Sequence, residues 1–157
     1  MVLQQAEPRH AAPRRMPAAR PLTPAERVRL AAEILTAYRQ ARRALRRAPI
    51  ASAVATLRSQ AVPAPSSTTA AATESMLEEA CRLGRAVART LALVPGDTRC
   101  LVRSLVLTRL LARRGIPAKL VIGARAAPDF LAHAWVECAG DPVLLPGDGS
   151  FGRLVEL

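Results

Sequence analysis

The spacing of apolar residues changes at Gly115, and this change constrains the fold more than any other feature of the sequence. Before Gly115, apolar residues recur every three or four positions, as they do in amphipathic helices. After it, short runs of Val, Leu, Ile and Ala are separated by Gly and Pro, which is typical of strands joined by turns. We therefore expect helices followed by a small antiparallel sheet, an α+β fold.

Capping residues and helix breakers give the expected ends of four helices. Thr23 is a candidate N-cap, with Pro24 in the first helical position and Glu26 placed to close a capping box. Pro and Gly residues mark most of the other ends. The expected helices run from Thr23 to about Arg47, from Pro49 through Leu57, from about Glu74 to Pro95, and from Asp97 or Thr98 to Gly115.

The second half of the chain is expected to form a meander of strands at 118–123, 132–138, 143–145 and 151–157, with a hairpin loop at 139–142. Residues 1–21 have no periodicity and are expected to be a disordered basic tail. The remaining divisions are an N-terminal helical region at 22–61, a linker rich in Pro, Ser, Thr and Ala at 62–73, and a core at 74–157.

The positive charge is concentrated in the first part of the chain. The net charge of the whole is +11, and residues 1–60 hold 12 arginines and 3 glutamates, which gives +9. No aromatic residues alternate with these arginines, as they would in a binder of single-stranded nucleic acid. We favour solvated arginines over a nucleic-acid surface, and a basic docking face for an acidic partner or peptide stays open.

The composition also limits the location and the cofactors. No run of apolar residues is long enough to span a membrane, and the N-terminus lacks a secretory signal, so we expect a cytoplasmic protein. The three cysteines have no C-x-x-C spacing, and the only histidines are His10 and His133. We therefore expect neither a disulfide framework nor a metal, and no cofactor.

Cys100 and His133 have the layout of a thiol nucleophile and its base. Cys100 falls in the first turn of the expected fourth helix, where free N–H groups and the helix dipole favour a thiolate. His133 lies near the start of an expected strand beside Trp135, and an imidazole can accept the thiol proton. Trp135 either lines the substrate groove or packs in the core. Cys81 and Cys138 are expected to be structural.

A third catalytic group can be sought from the strand register. A four-residue loop would pair Cys138 with Val143, and the same register places Asp148 opposite His133 at about 4.5–5.5 Å between Cβ atoms. Glu137 shares the face of His133 but lies about 13 Å further along the strand, at about 3.3 Å per residue. Asp148 is therefore the expected third member, and Glu137 is the alternative if the register differs.

Three stretches, at 95–107, 110–123 and 130–137, resemble the transglutaminase-like cysteine protease of lasso peptide biosynthesis, the B-type leader peptidase. The resemblance implies a transglutaminase-like or papain-like core with Cys100 as nucleophile, His133 as base and an Asp on the next strand. This sequence has Leu145 about where the family's Asp is expected, so Asp148 depends on the register alone.

The resemblance implies a cysteine endopeptidase that removes the leader of a ribosomally made precursor before an ATP-dependent cyclase closes the macrolactam. The N-terminal part lacks a strand-rich recognition domain, which implies a separate leader-recognition protein as partner. Two alternatives remain: an acyl-transferring transglutaminase-like enzyme, and a non-catalytic basic adaptor that binds peptide or nucleic acid.

Overall fold

The computed structural model describes residues 22–59, 69–96, 98–126, 130–144 and 151–157. The predicted tail at 1–21 and most of the predicted linker at 62–73 lie outside these residues, and the division into domains stays a prediction. The described elements are helices α1 (Pro24–Arg47), α2 (Ile50–Arg58), α3 (Ala70–Ala92) and α4 (Cys100–Ala112), and strands β1 (Lys119–Arg125), β2 (Leu131–Cys138), β3 (Asp141–Pro142) and β4 (Gly152–Glu156).

Helix α1 begins as its sequence predicts. The backbone N–H of Glu26 donates to Oγ1 of Thr23 at 3.3 Å, and the backbone N–H of Thr23 donates to the Glu26 carboxylate at 2.7 Å. This reciprocal pair is the expected capping box, which satisfies two N–H groups at the helix end. The helix ends at Arg47, and the shorter α2 follows Pro49, both as predicted.

Helix α3 begins at Ala70, four residues before the predicted start. The hydroxyl oxygen of Thr69 accepts from the backbone N–H of Ala72 at 3.3 Å and so caps the helix. The first three helical residues are alanines, which have the highest helix propensity. Residues 70–73 of the predicted linker therefore belong to α3.

Helix α4 is the centre of the fold. Its residues from Ser104 to Leu111 are all buried, as in a helix that is covered on every side. It packs against α1, α2, α3 and the sheet. Ser104 donates a 3.0 Å hydrogen bond to the carbonyl oxygen of Ala134, which ties the helix to β2. This contact fixes the start of α4 relative to the strand that carries His133.

The four strands form one antiparallel sheet in the order β3-β2-β1-β4. In the central pair, Gly123 lies opposite His133 and Lys119 lies opposite Glu137. The last strand pairs with β1, on the other side of the sheet from β3. The prediction of a simple meander is therefore wrong at the last strand.

The turn between β2 and β3 is shorter than predicted. Cys138 pairs with Asp141 and Glu137 with Pro142, so the loop contains only Ala139 and Gly140. Both have positive φ, at 53° and 90°, which a two-residue hairpin of the primed type requires. The predicted pairing of Cys138 with Val143 is wrong, and Val143 and Leu144 do not belong to a strand, while Leu145 lies outside the described residues.

A single cluster of buried apolar side chains joins the four helices to one face of the sheet. The fold class is confirmed: helices followed by a small antiparallel sheet make an α+β fold consistent with a transglutaminase-like core. Within the described residues, no helix is long and apolar enough to cross a membrane.

Candidate active site

Cys100 is the first residue of α4. The N-cap is Arg99, in extended conformation, and its side chain makes no capping hydrogen bond. The prediction of Thr98 as the cap is wrong, and the alternative cap, Asp97, lies outside the described residues. The backbone N–H of Cys100 belongs to the first turn, where N–H groups have no carbonyl partner within the helix.

A cavity of 660 Å³ contains both residues of the predicted catalytic pair. Cys100 borders it from the N-terminus of α4, and His133 borders it from the first half of β2. The two residues are 33 positions apart in sequence, and the packing of α4 on the sheet brings them to one cavity. The described lining consists of Gly96, Thr98, Arg99, Cys100, Arg103, His133, Ala134 and Leu144.

The imidazole of His133 stacks with two aromatic rings. Its centroid is 5.2 Å from that of Phe151 and 6.2 Å from that of Trp135, with interplanar angles of 30° and 18°. Arg125 extends this row, since its guanidinium lies 5.6 Å from the Phe151 centroid. Rings at these separations restrict the orientations that the imidazole can adopt.

Glu137 holds the tryptophan of this row. The indole nitrogen of Trp135 donates to Oε1 of Glu137 at 2.8 Å, and Arg153 donates to Oε2, also at 2.8 Å. Strand alternation places His133, Trp135 and Glu137 on the same face of β2. Both carboxylate oxygens of Glu137 therefore have partners, and its link to His133 runs through the Trp135 ring.

Trp135 packs against the backbone of the neighbouring strand. The side chain is buried, and it is absent from the described lining of the cavity. Its ring covers Gly123, where an added Cβ would lie 2.8 Å from the ring and 2.6 Å from the carbonyl oxygen of Gly152. Of the two interpretations of Trp135, these contacts favour packing.

The third member of the predicted triad, Asp148, lies outside the described residues. The register that placed it opposite His133 differs from the observed one by two residues, because the hairpin loop is shorter. Its role stays a prediction, without support from the strand pairing. The alternative, Glu137, has no described contact with the imidazole.

The other two cysteines differ from Cys100 in their surroundings. Burial raises the pKa of the Cys138 thiol, and nearby Cys81 and Asp141 raise it further. Burial and Asp141 also raise the pKa of Cys81, while Arg85 opposes the rise. A raised pKa lowers the thiolate fraction, and neither thiol is among the described residues of the cavity.

The structure adds two features to the site that the sequence predicts. Phe151 reaches His133 because β4 pairs with β1, a long-range pairing that no local pattern signals. Arg103 lies one turn after Cys100, a position at which solvation is the more common fate of an arginine, but it lines the cavity. Among the described residues, no cluster of His, Cys, Asp and Glu could hold a metal ion.

The sequence model of the transglutaminase-like superfamily matches residues 44–155, from the end of α1 into β4. The chain belongs to the transglutaminase-like superfamily. This superfamily commonly contains enzymes of the cysteine-protease and transferase kind. The matched region includes both Cys100 and His133. No curated protein and no solved structure matches the chain.

Proposed function

We propose that this protein is a cysteine endopeptidase that removes the leader from a lasso precursor peptide before the macrolactam forms. The observation that supports this most directly is the cavity shared by Cys100 and His133. Cys100, the first residue of α4, and His133 both line this cavity, and the chain belongs to a superfamily that commonly contains enzymes of the cysteine-protease kind.

In the first step of the proposed mechanism, His133 accepts the proton of the Cys100 thiol. The thiolate attacks the carbonyl carbon of the scissile peptide bond, and the C–S bond forms. In the proposal, N–H groups in the first turn of α4, including that of Cys100, stabilise the oxyanion. The C–N bond then breaks, and His133 gives its proton to the leaving amine, which becomes the N-terminus of the core peptide.

In the second step, water hydrolyses the thioester. His133 takes a proton from the water as its oxygen attacks the carbonyl, and the C–S bond breaks to return the thiolate. The leader leaves with a free carboxylate, and no co-reactant other than water is consumed. Asp148 is proposed to orient the imidazole and to stabilise its protonated form.

The proposed partners follow from the resemblance. A separate leader-recognition protein would deliver the precursor, and an ATP-dependent macrolactam cyclase would use the released amine, all in the cytoplasm. Binding energy from a distant part of the leader would help to position the scissile bond in the cavity.

The experiment incubates the purified protein with a lasso precursor encoded beside its gene, with and without the neighbouring recognition protein. Mass spectrometry should detect the intact leader and the core peptide as two products. Cys100→Ser is the matched inactive control, and Cys81→Ser is the matched active one. Cleavage that persists at the wild-type rate in Cys100→Ser would contradict the proposal.

Membership of the superfamily also favours a second candidate, acyl transfer from a glutamine side chain to an amine. Both reactions begin with the same thioester chemistry, and they differ in the group that resolves the acyl-enzyme. Product masses separate them, because hydrolysis adds water to the substrate whereas transfer releases ammonia. A crosslinked product with the leader bond intact would favour this candidate over the protease.

A further inference from the structure

Arg103 has an unusual position on α4. It follows Cys100 by three residues, so the two side chains lie on the same side of the helix, and both line the cavity. The Nε atom of Arg103 is buried and has no hydrogen-bond partner among the described residues. A buried N–H of a charged group without an acceptor is costly, and such groups are normally paired.

The charge of the cavity wall favours an anionic ligand. Arg103 brings a positive charge to the described lining, which contains no carboxylate, while Arg99, the other arginine of the lining, already makes an interaction of its own. A guanidinium binds a carboxylate through two parallel hydrogen bonds, a geometry that a neutral amide cannot match. The buried Nε is closed to the cavity, so it is the position of Arg103 in a lining without a described carboxylate that points to a carboxylate as the ligand.

We infer that Arg103 binds a carboxylate of the peptide substrate close to the scissile bond. The inference rests on the proposed function and makes it more specific: the peptide carries an acidic side chain near the cleaved position. Arg103 is then a residue that determines specificity, one turn from the nucleophile.

A simpler role for Arg103 is to stabilise the thiolate of Cys100 through its charge alone. The two roles differ in what they affect. Stabilisation of the thiolate would change the reaction of Cys100 with every electrophile by the same factor. A carboxylate site would change the reaction only with electrophiles that carry a carboxylate.

The experiment compares the alkylation of Cys100 by iodoacetate and by iodoacetamide in the full chain. In both reactions the sulfur forms a bond to the methylene carbon and iodide leaves, and the reagents are of similar size. Only iodoacetate carries a carboxylate. Mass spectrometry of the peptide that contains Cys100 gives both rate constants without interference from Cys81 or Cys138. Both reagents react with the same thiolate, so the ratio of the two rate constants does not depend on the thiolate fraction.

In the wild-type protein, the ratio of the iodoacetate to the iodoacetamide rate constant should exceed that of a neutral small thiol such as 2-mercaptoethanol. Arg103→Gln should lower the ratio at least about threefold, because a charged donor at hydrogen-bond distance is lost. Arg103→Lys keeps the charge but lacks the paired donors. Its ratio should therefore lie between the ratios of wild type and Arg103→Gln. Arg113→Gln removes the same charge from an exposed residue at the other end of α4 and should keep the wild-type ratio.

The inference is overturned if wild type and Arg103→Gln have the same ratio of iodoacetate to iodoacetamide rate constants. It is also overturned if Arg113→Gln lowers that ratio as much as Arg103→Gln does. If Arg103→Gln does not fold, a wild-type ratio no higher than that of 2-mercaptoethanol also overturns it.

None of these measurements requires proteolysis, so failure of the proposed function is seen separately, as an uncleaved precursor. With a cleaved precursor, replacing a nearby Asp or Glu by its amide should raise KM about tenfold in wild type and much less in Arg103→Gln.

Discussion

The indole nitrogen of Trp135 lies 2.8 Å from Oε1 of Glu137, while the same ring is 6.2 Å from the imidazole of His133. A buried carboxylate therefore fixes the tryptophan that packs beside the proposed base. Arg153 fixes the carboxylate in turn. In the proposed mechanism, this chain of contacts would make Glu137 a positioning residue, which acts on His133 through another side chain.

Replacing Glu137 by alanine should therefore reduce both stability and activity. The buried N–H of Trp135 would lose its acceptor, which costs about 1–3 kcal/mol of unfolding free energy. We expect kcat to fall while the KM of the precursor changes little, because the variant disturbs the base and leaves the cavity wall intact. Denaturant unfolding and steady-state cleavage measure the two effects.

Two further variants separate this role from a general loss of charge. Glu137→Gln keeps an acceptor for Trp135 and should recover most of the lost activity. Glu156→Gln removes an exposed carboxylate that also pairs with Arg153 and should change little. Equal losses in Glu156→Gln and Glu137→Ala would contradict the positioning role.

Gly123 should tolerate no side chain, because it lies under the Trp135 ring. An added Cβ would meet that ring at 2.8 Å and the carbonyl oxygen of Gly152 at 2.6 Å, so the strands would have to move apart. Gly123→Ala should cost about 1–3 kcal/mol of unfolding free energy, as overpacking in a core commonly does. Thermal or denaturant unfolding measures the loss.

Gly152→Ala is the matched control in the same pair of strands. Among the described residues, an added Cβ at Gly152 would meet only the carbonyl oxygen of Ala124, at an ordinary 3.6 Å. This variant should be close to wild type in stability. Equal destabilisation of the two variants would show that the cost comes from losing glycine in the strands and not from the tryptophan.

Local sequence patterns predict the helices better than the sheet. The capping box at Thr23 depends on residues three positions apart, so the sequence contains all of its partners. The two-residue hairpin turn is not predicted, because Ala139 adopts a positive φ that alanine rarely takes. The pairing of β4 with β1 depends on contacts about thirty residues apart, which no local pattern records.

In the candidate site, too, the sequence predicts local features better than those that depend on strand pairing. The residue types and positions of Cys100 and His133 are enough to identify them as the candidate pair from the sequence, and the two residues line one cavity. The prediction of Asp148 depends on a register set by loop length, and the loop is two residues shorter than that register requires. The contact of Phe151 with His133 depends on strand order, which the sequence does not predict.

The buried thiol of Cys138 should make stability depend on pH in the alkaline range. Its pKa is raised above the ordinary value of 9.0 in the folded protein, mainly by burial, so folding favours the protonated thiol. This contribution is complete below the unfolded pKa and is lost as the pH rises through the folded pKa. Unfolding free energy should therefore fall more steeply above pH 9.0 in wild type than in Cys138→Ala.

The comparison between the two proteins is essential, because other groups also titrate in this range. Cys138→Ala should have lower stability than wild type at neutral pH, since it leaves a small void in the core, and the two curves should approach each other as the pH rises. Curves that stay parallel from neutral to alkaline pH would show that the Cys138 thiol does not titrate differently in the folded state.

The proposed catalytic residues should rank in a definite order. Cys100→Ala should abolish cleavage of the precursor while unfolding stays near that of wild type, because a half-buried thiol at a helix end contributes little to the core. His133→Ala should be equally inactive.

Asp148→Asn should keep some turnover, with a loss of at most about 10⁴, the size of the effect for the orienting carboxylate of serine proteases. Cys81→Ala should remain active. An inactive but folded Cys81→Ala, or a normal rate in His133→Ala, would contradict the assignment, and an unaffected Asp148→Asn would leave the catalytic pair without that third member.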